Sequence, residues 1–211
     1  MIHELRTYTF HPGRLAEYMT LAETVGRPVR GNDYGVNHGY WVTEIGALNQ
    51  VWHLWSYESF EERTRLRAAL GKNERWVNEY IPGIRALMQR QDIRFINPVK
   101  PVVAPEKEGG IYELRIYRTV PGGAPRWAGL YMDIMPMRES YSKNVGLWVG
   151  EAPQPNEVLH MWNYPGLAER MDARKRLFAD PVWQGFLGRA AGIVVEMQSM
   201  LMLATPYSVM K

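Results

Sequence analysis

At 211 residues the chain is long enough for two small domains of about 100 residues each. Its 46% hydrophobic and 22% charged residues suit an ordinary globular protein, and no apolar run reaches the roughly 18 residues of a membrane span. Cysteine is absent, which excludes disulfides, thiolate metal sites and cysteine nucleophiles, and a net charge of +3 without a basic, aromatic-interleaved stripe argues against nucleic-acid binding.

The opening Met1-Ile2-His3-Glu4-Leu5-Arg6 is already a charged, alternating segment and not an apolar leader, which points to the cytoplasm. Residues 2–10 alternate as a strand: Glu4, Arg6 and Tyr8 lie on one face, Leu5 and Thr7 on the other. After Pro12-Gly13 the period lengthens, and Leu15, Tyr18, Met19 and Ala22 mark an amphipathic helix. A short strand around 39–43 and an aromatic strand over 51–57 follow. A second helical region opens at Ser59, with Glu62 at capping-box spacing and Glu61 and Arg65 at the i, i+4 spacing of a solvated ion pair. Residues 86–95 read as a closing strand. The proline- and glycine-rich 97–110 read as a linker.

The same order then returns. Glu4-Leu5-Arg6-Thr7-Tyr8 recurs as Glu113-Leu114-Arg115-Ile116-Tyr117, 109 positions on, and His53-Leu54-Trp55 recurs as His160-Met161-Trp162, 107 positions on. Trp127, Leu130, Tyr131 and Ile134 repeat the helix, residues 146–150 and 158–164 the two strands, and Asp180-Pro181 marks a helix start within the second helical region. Residues 192–203 close the copy. The predicted organisation is a repeat over 1–98, a linker over 99–109 and a second repeat over 110–211. Each repeat is βαββαβ, an α+β, ferredoxin-like unit whose bare sheet face needs a cover, and two such halves in tandem predict a pseudo-symmetric barrel of the dimeric α+β type.

Strand polarity places a candidate pocket in the barrel interior. Leu5, Trp52, Leu54, Leu114, Ile116, Leu159 and Met161 are expected to face the helices. Glu4, Arg6, Tyr8, His53, Trp55 and their counterparts Glu113, Arg115, Tyr117, His160 and Trp162 are expected to face the other sheet, joined by Gln91, Glu196 and Gln198 from the closing strands. His53 and His160 are the candidate acid/base groups, because imidazole titrates near neutral pH. The glutamate, arginine and tyrosine are candidate ligand contacts, and Trp55 and Trp162 apolar walls. A structural cross-brace of buried ion pairs reads the Glu-Arg-Tyr pattern at least as well, since it recurs in both copies.

An asymmetric ligand would break the repeat where it touches. That singles out His38, which becomes Val145, and Gln89, which becomes Glu196; surface drift explains such changes equally well and is the preferred account of His3 to Tyr112 and Arg90 to Met197. No HxH or HxxxH pair, phosphate loop or serine elbow is present, so neither metal nor cofactor is predicted, an axial haem histidine being the less favoured alternative. Met132, Met135 and Met137 with Trp148 suggest an apolar entry or oligomer contact.

The ordered set of Glu-Leu-Arg-x-Tyr, Pro-Gly and Asn-x-Val-x-His-x-Trp-x-Tyr resembles the NIPSNAP family. It occurs with Asn49, Val51, His53, Trp55 and Tyr57, and again with Asn156, Val158, His160, Trp162 and Tyr164. The resemblance covers nearly the whole chain outside the linker. It implies the dimeric α+β barrel fold and little chemistry; a homo-oligomer is expected, and the polar interior itself points to a small-molecule-binding barrel. By analogy with other barrels of this kind it extends to a cofactor-independent oxygenase or isomerase. A packed, non-enzymatic interaction scaffold is the alternative.

Overall fold

The computed structural model describes residues 1–211. The chain divides into two compact units, residues 1–95 with 204–211, and residues 96–203. The strands form a closed barrel, and each half follows the predicted βαββαβ order.

The first half runs β1 (Ile2–Phe10), α1 (Leu15–Leu21), a π-helical turn (Ala22–Gly26), α2 (Arg27–Arg30), β2 (Val36–Ile45), β3 (Gln50–Tyr57) and α3 (Phe60–Leu70). A second π-helical turn (Trp76–Tyr80), α4 (Ile81–Leu87) and β4 (Met88–Lys100) complete it. The second half runs β5 (Ile111–Thr119), α5 (Gly123–Asp133), α6 (Met135–Glu139), β6 (Lys143–Ala152), β7 (Glu157–Tyr164), α7 (Leu167–Ala179), α8 (Pro181–Ala190) and β8 (Val194–Ala204). No helix is long and apolar enough to cross a membrane. Residues 86 and 87 end a helix, where the sequence reading began a strand, and β4 continues through Asn97 and Pro98 to Lys100. Proline can sit within a strand wherever its missing N–H is not needed by the ladder.

Local chemistry explains the element boundaries. Ser59 Oγ accepts the Glu62 N–H at 3.1 Å, while the Glu62 carboxylate reaches one residue further back, to the Glu58 N–H at 2.7 Å. Asp180 Oδ1 accepts the N–H groups of Val182 and Trp183 at 2.7 and 3.4 Å, and Pro181 supplies a preset first turn. β2 and β6 each carry a register shift, between Asn37 and Gly39 and between Asn144 and Gly146. The buried Asn37 and Asn144 amides donate to the Leu54 and Met161 carbonyls at 3.2 and 3.1 Å, bridging the irregularity to β3 and β7. Across each shift a tryptophan ring, Trp41 or Trp148, lies flat over the glycine two residues earlier.

The first unit's core contains Tyr8, Phe10, Tyr18, Trp55, Trp76, Tyr80 and Leu87, which places the Glu4-Arg6-Tyr8 face of β1 against the helices. The second unit repeats this with Tyr117, Trp127, Tyr131, Trp162 and Phe186. The predicted polarity is therefore inverted: Leu5, Leu54, Leu114 and Met161 lie on the face away from the helices. The alternation itself holds, but β1 and β3 are buried on both faces, so an apolar residue does not identify the helix side. Met132, Met135 and Met137 belong to the helix-side core and do not form an exposed patch, and Trp148 lies on the opposite face of β6, 1% exposed.

Residues 204–211 complete the first unit. Thr205 N–H donates to the Tyr40 carbonyl at 3.0 Å, Ser208 Oγ accepts the Tyr40 N–H at 2.9 Å, and the Tyr207 ring meets that of Tyr40 edge-on at 5.2 Å.

A Cβ at Gly146 would lie 2.3 Å from the Trp148 ring. Gly146→Ala is expected to cost about 1–3 kcal/mol by overpacking, read as a lowered urea midpoint, whereas Gly129→Ala, with open space around it, should not lower it.

Candidate functional site

In the first unit the carboxylate of Glu4, wholly buried, accepts from Arg6 on its own strand and from Arg63 on α3. Burial pushes its pKa up, but the two guanidiniums outweigh that and hold it below the usual carboxylate value. Arg6 Nη1 also donates to Tyr8 Oη at 2.9 Å. The second unit repeats the clamp with more donors: Glu113 accepts from Arg115 (3.0 Å), Arg170 of α7 (2.7 and 3.0 Å) and Ser199 Oγ of β8 (2.7 Å). Against burial, Arg170, Arg115 and Ser199 bring Glu113 down to about 2.

Arg6 pairs in register with His53, and Arg115 with His160. Each histidine takes a hydrogen bond on Nδ1 from the indole N–H two residues on, Trp55 at 2.7 Å and Trp162 at 2.6 Å. An Nδ1 that accepts cannot carry a proton, so the neutral ring bears its hydrogen on Nε2. Burial first, then Arg6 and Arg30 in one unit and Arg115 in the other, pushes both pKa values well below the ordinary histidine value. Both Nε2 atoms are buried without a hydrogen-bond partner. In this geometry both residues are neutral N–H donors, with the Nδ1 lone pair already taken by the indole.

A second arginine covers each tryptophan. Arg30 stacks over Trp55 at 3.3 Å and donates to Tyr57 Oη at 2.9 Å; Arg138 stacks over Trp162 at 3.8 Å and donates to Tyr164 Oη at 3.1 Å.

The units part at the ring beside the histidine. Tyr40, paired in register with His53, stacks on that imidazole at 4.8 Å; the register partner of His160 is Leu147. Four residues beyond the matched Trp76 and Trp183 stand Tyr80, 6% exposed, and Leu187, 39% exposed. In the second unit a cavity of about 440 Å³ opens between the sheet and helices α5, α7 and α8. His160, Arg115, Tyr117, Trp162, Arg138 and Arg174 line it, with Trp127, Tyr131, Trp183 and Phe186 as aromatic walls and Met197 from β8.

The remaining predicted residues lie elsewhere. Glu196 and Gln198 are exposed on β8, Glu196 reaching Arg118 at 3.5 Å, and neither lines the cavity. Gln91, also exposed, donates to Tyr8 Oη at 3.4 Å. His38 contacts Ser56 Oγ at 2.9 Å and stacks on His3 at 5.3 Å, apart from the Glu-Arg-Tyr-His set. The change from Arg90 to Met197, read as drift, falls on the cavity wall. Arg63 and Arg170 were legible as a pair 107 positions apart, as were Arg67 and Arg174, but α3 read as a solvated face. Arg65 does stay exposed, reaching Glu62 and not the predicted Glu61.

The sequence profile of the NIPSNAP family matches residues 3–101 and 112–209. Human Protein NipSnap homolog 3A is 28% identical over 216 aligned positions, covering 100% of this chain and 86% of that protein. A solved Lactobacillus acidophilus structure superposes with a TM-score of 0.69 at 12% identity, covering 99% of this chain and 97% of that one. A solved anthrone oxidase-like protein gives 0.66 at 11%, covering 96% and 90%. At these identities both structures speak for the fold alone.

Two linked outcomes follow for stability against pH. His53 and His160 have folded pKa values below 6.5 and Glu113 one near 2 against 4.5, so the unfolded chain takes up their protons first. Their contributions are complete above those unfolded values and lost as pH falls, by up to about 1.4 kcal/mol per group per pH unit. Urea unfolding should therefore weaken from near pH 6.5 and again below 4.5, and His160→Gln should soften the first decline. Glu113→Gln should cost about 3 kcal/mol or more at neutral pH, because it strips a buried clamp of its charge; a loss under about 1 kcal/mol would refute the clamp.

Proposed function

The chain belongs to the NIPSNAP family, and on that premise we propose that it binds a small organic molecule in the cavity of its second unit. The cavity lies between a sheet face and its own helices, not in the barrel interior where the sequence reading put it. Its volume of about 440 Å³ is in the range of ligand pockets, which begin near 300 Å³. The observation that carries the reading is this aromatic-walled cavity, whose lining includes three arginines and His160, 2% exposed, with an Nε2–H that has no protein acceptor. A buried donor left unpaired costs about 1–3 kcal/mol, which a bound acceptor would recover.

His160 carries its proton on Nε2 and no carboxylate lines the cavity, so the wall suits binding better than proton abstraction. Oxygenase- or isomerase-like turnover, suggested by fold analogy alone, would draw on stabilisation of negative charge by that N–H and the guanidiniums. The scaffold reading is favoured by the first unit, where the same ion pairs and His-Trp pair stand with Tyr40 stacked on the imidazole. The exchange of Tyr40 for Leu147 tips the balance towards a binding site in the second unit.

Native mass spectrometry of the freshly purified protein is expected to reveal one retained small molecule per chain, released on denaturation. Leu187→Trp, which fills the cavity from α8, should abolish that excess mass with the circular dichroism spectrum unchanged. A clean apo mass, together with no uptake of added aromatic compounds, would favour the scaffold. The same spectrum counts chains per particle, expected at two or more.

A further inference from the structure

We infer that the ligand of the second unit is a small aromatic anion of the carboxylate type, bound with its ring among the tryptophans and its oxygens toward His160 and the arginines. This rests on the binding reading above. The cavity wall holds Arg115, Arg138, Arg174 and His160 and no carboxylate. Four buried polar atoms on residues lining the cavity have no hydrogen-bond partner: His160 Nε2, Arg115 Nε, Arg138 Nε and Trp183 Nε1. All four are N–H groups, because the neutral imidazole must carry its proton on Nε2. His53 Nε2 and Arg30 Nε are orphaned likewise in the first unit, so these donors come with the brace, and a ligand settling against them has to present acceptors.

Charge narrows the class further. Arg115 is matched by Glu113, and that carboxylate is also held by Arg170 and Ser199. Arg174 of α7 adds a half-buried guanidinium on the cavity wall, lying 5.5 Å from the Phe178 ring. Burial and the nearby Arg115 lower its pKa, as expected of a cation short of negative charge. An anionic oxygen pair would meet both needs through charge-assisted bonds, for which guanidinium geometry is suited. A cationic ligand would meet like charge from Arg115, Arg138 and Arg174 and no carboxylate, with only tyrosine oxygens and ring faces to attract it. Trp127, Tyr131, Trp162, Trp183 and Phe186 supply flat apolar surface for a ring.

The test is calorimetric titration of the intact, ligand-stripped chain with three probes of one shape: 2-naphthoate, 2-naphthylmethanol and 2-naphthylmethylammonium. One 2-naphthoate per chain is expected, at least about tenfold tighter than the alcohol, with the ammonium weaker again. Arg174→Gln should weaken 2-naphthoate by about tenfold and the alcohol by less than about twofold. Leu187→Trp should abolish both. If the alcohol or the ammonium binds as tightly as the carboxylate through a cavity that Leu187→Trp blocks, the site stands and the anion assignment falls. If no probe binds, or Leu187→Trp leaves 2-naphthoate binding intact, the binding reading falls with it.

Discussion

A buried carboxylate shared between a strand arginine and a helix arginine organises each half of this protein. Glu4 and Glu113 sit at the first strand of their copies, wholly buried, where an isolated charge would be intolerable. Arg6 and Arg115 answer from the strand itself, Arg63 and Arg170 from the helix that follows the third strand. The clamp thereby fixes that helix to the sheet. It also holds a guanidinium opposite the histidine of the neighbouring strand, and that positive charge adds to burial in keeping the imidazole neutral. The indole N–H then selects the tautomer. One ionic constraint thus ends, two side chains away, as a directed N–H donor.

Duplication lets the two halves act as controls for one another. The charges, the His-Trp pairs and the stacked arginines are held in common, so they answer to the architecture and need no ligand to explain them. What differs is bulk. The ring beside the first histidine comes from Tyr40, with Tyr80 and Tyr207 packed into the same core, while the second copy has Leu147 in register and a half-exposed Leu187 at its cavity. The site comes from rearranged rings in a braced core and not from added reactive groups: Tyr40 and Tyr80 give way to leucines, while Trp127 and Tyr131 stand 5.6 and 5.2 Å from the His160 ring. Such a cavity inherits its polarity from the brace.

Much of this was legible in the residues. Alternation and the repeat gave strand order, the helix starts at Ser59 and Asp180, and the fold class. A sheet buried on both sides satisfies the apolar-inside rule either way, so the face is decided by the helix partner of Glu4, Arg63, which the exposed Arg65 of the same helix disguises. The role of His53 and His160 was also out of reach. A histidine two residues from a tryptophan shares its face, but which nitrogen the indole meets depends on rotamers that spacing does not encode. Glu196 and Gln198 failed for a plainer reason: residues 195–199 of β8 are exposed.

The segment 204–211 sets an order of events during synthesis. Its residues belong to the first unit, where Thr205 and Ser208 hold both backbone groups of Tyr40 and Tyr207 meets its ring. A ribosome delivers residues 1–95 long before it delivers Tyr207, at about 5–20 residues per second. The first unit therefore waits several seconds with an aromatic core one ring short, while the second is made. The strand pairs of the first half can form early, but its core closes only when the later residues return to it, so the two repeats, alike in sequence, mature on different clocks.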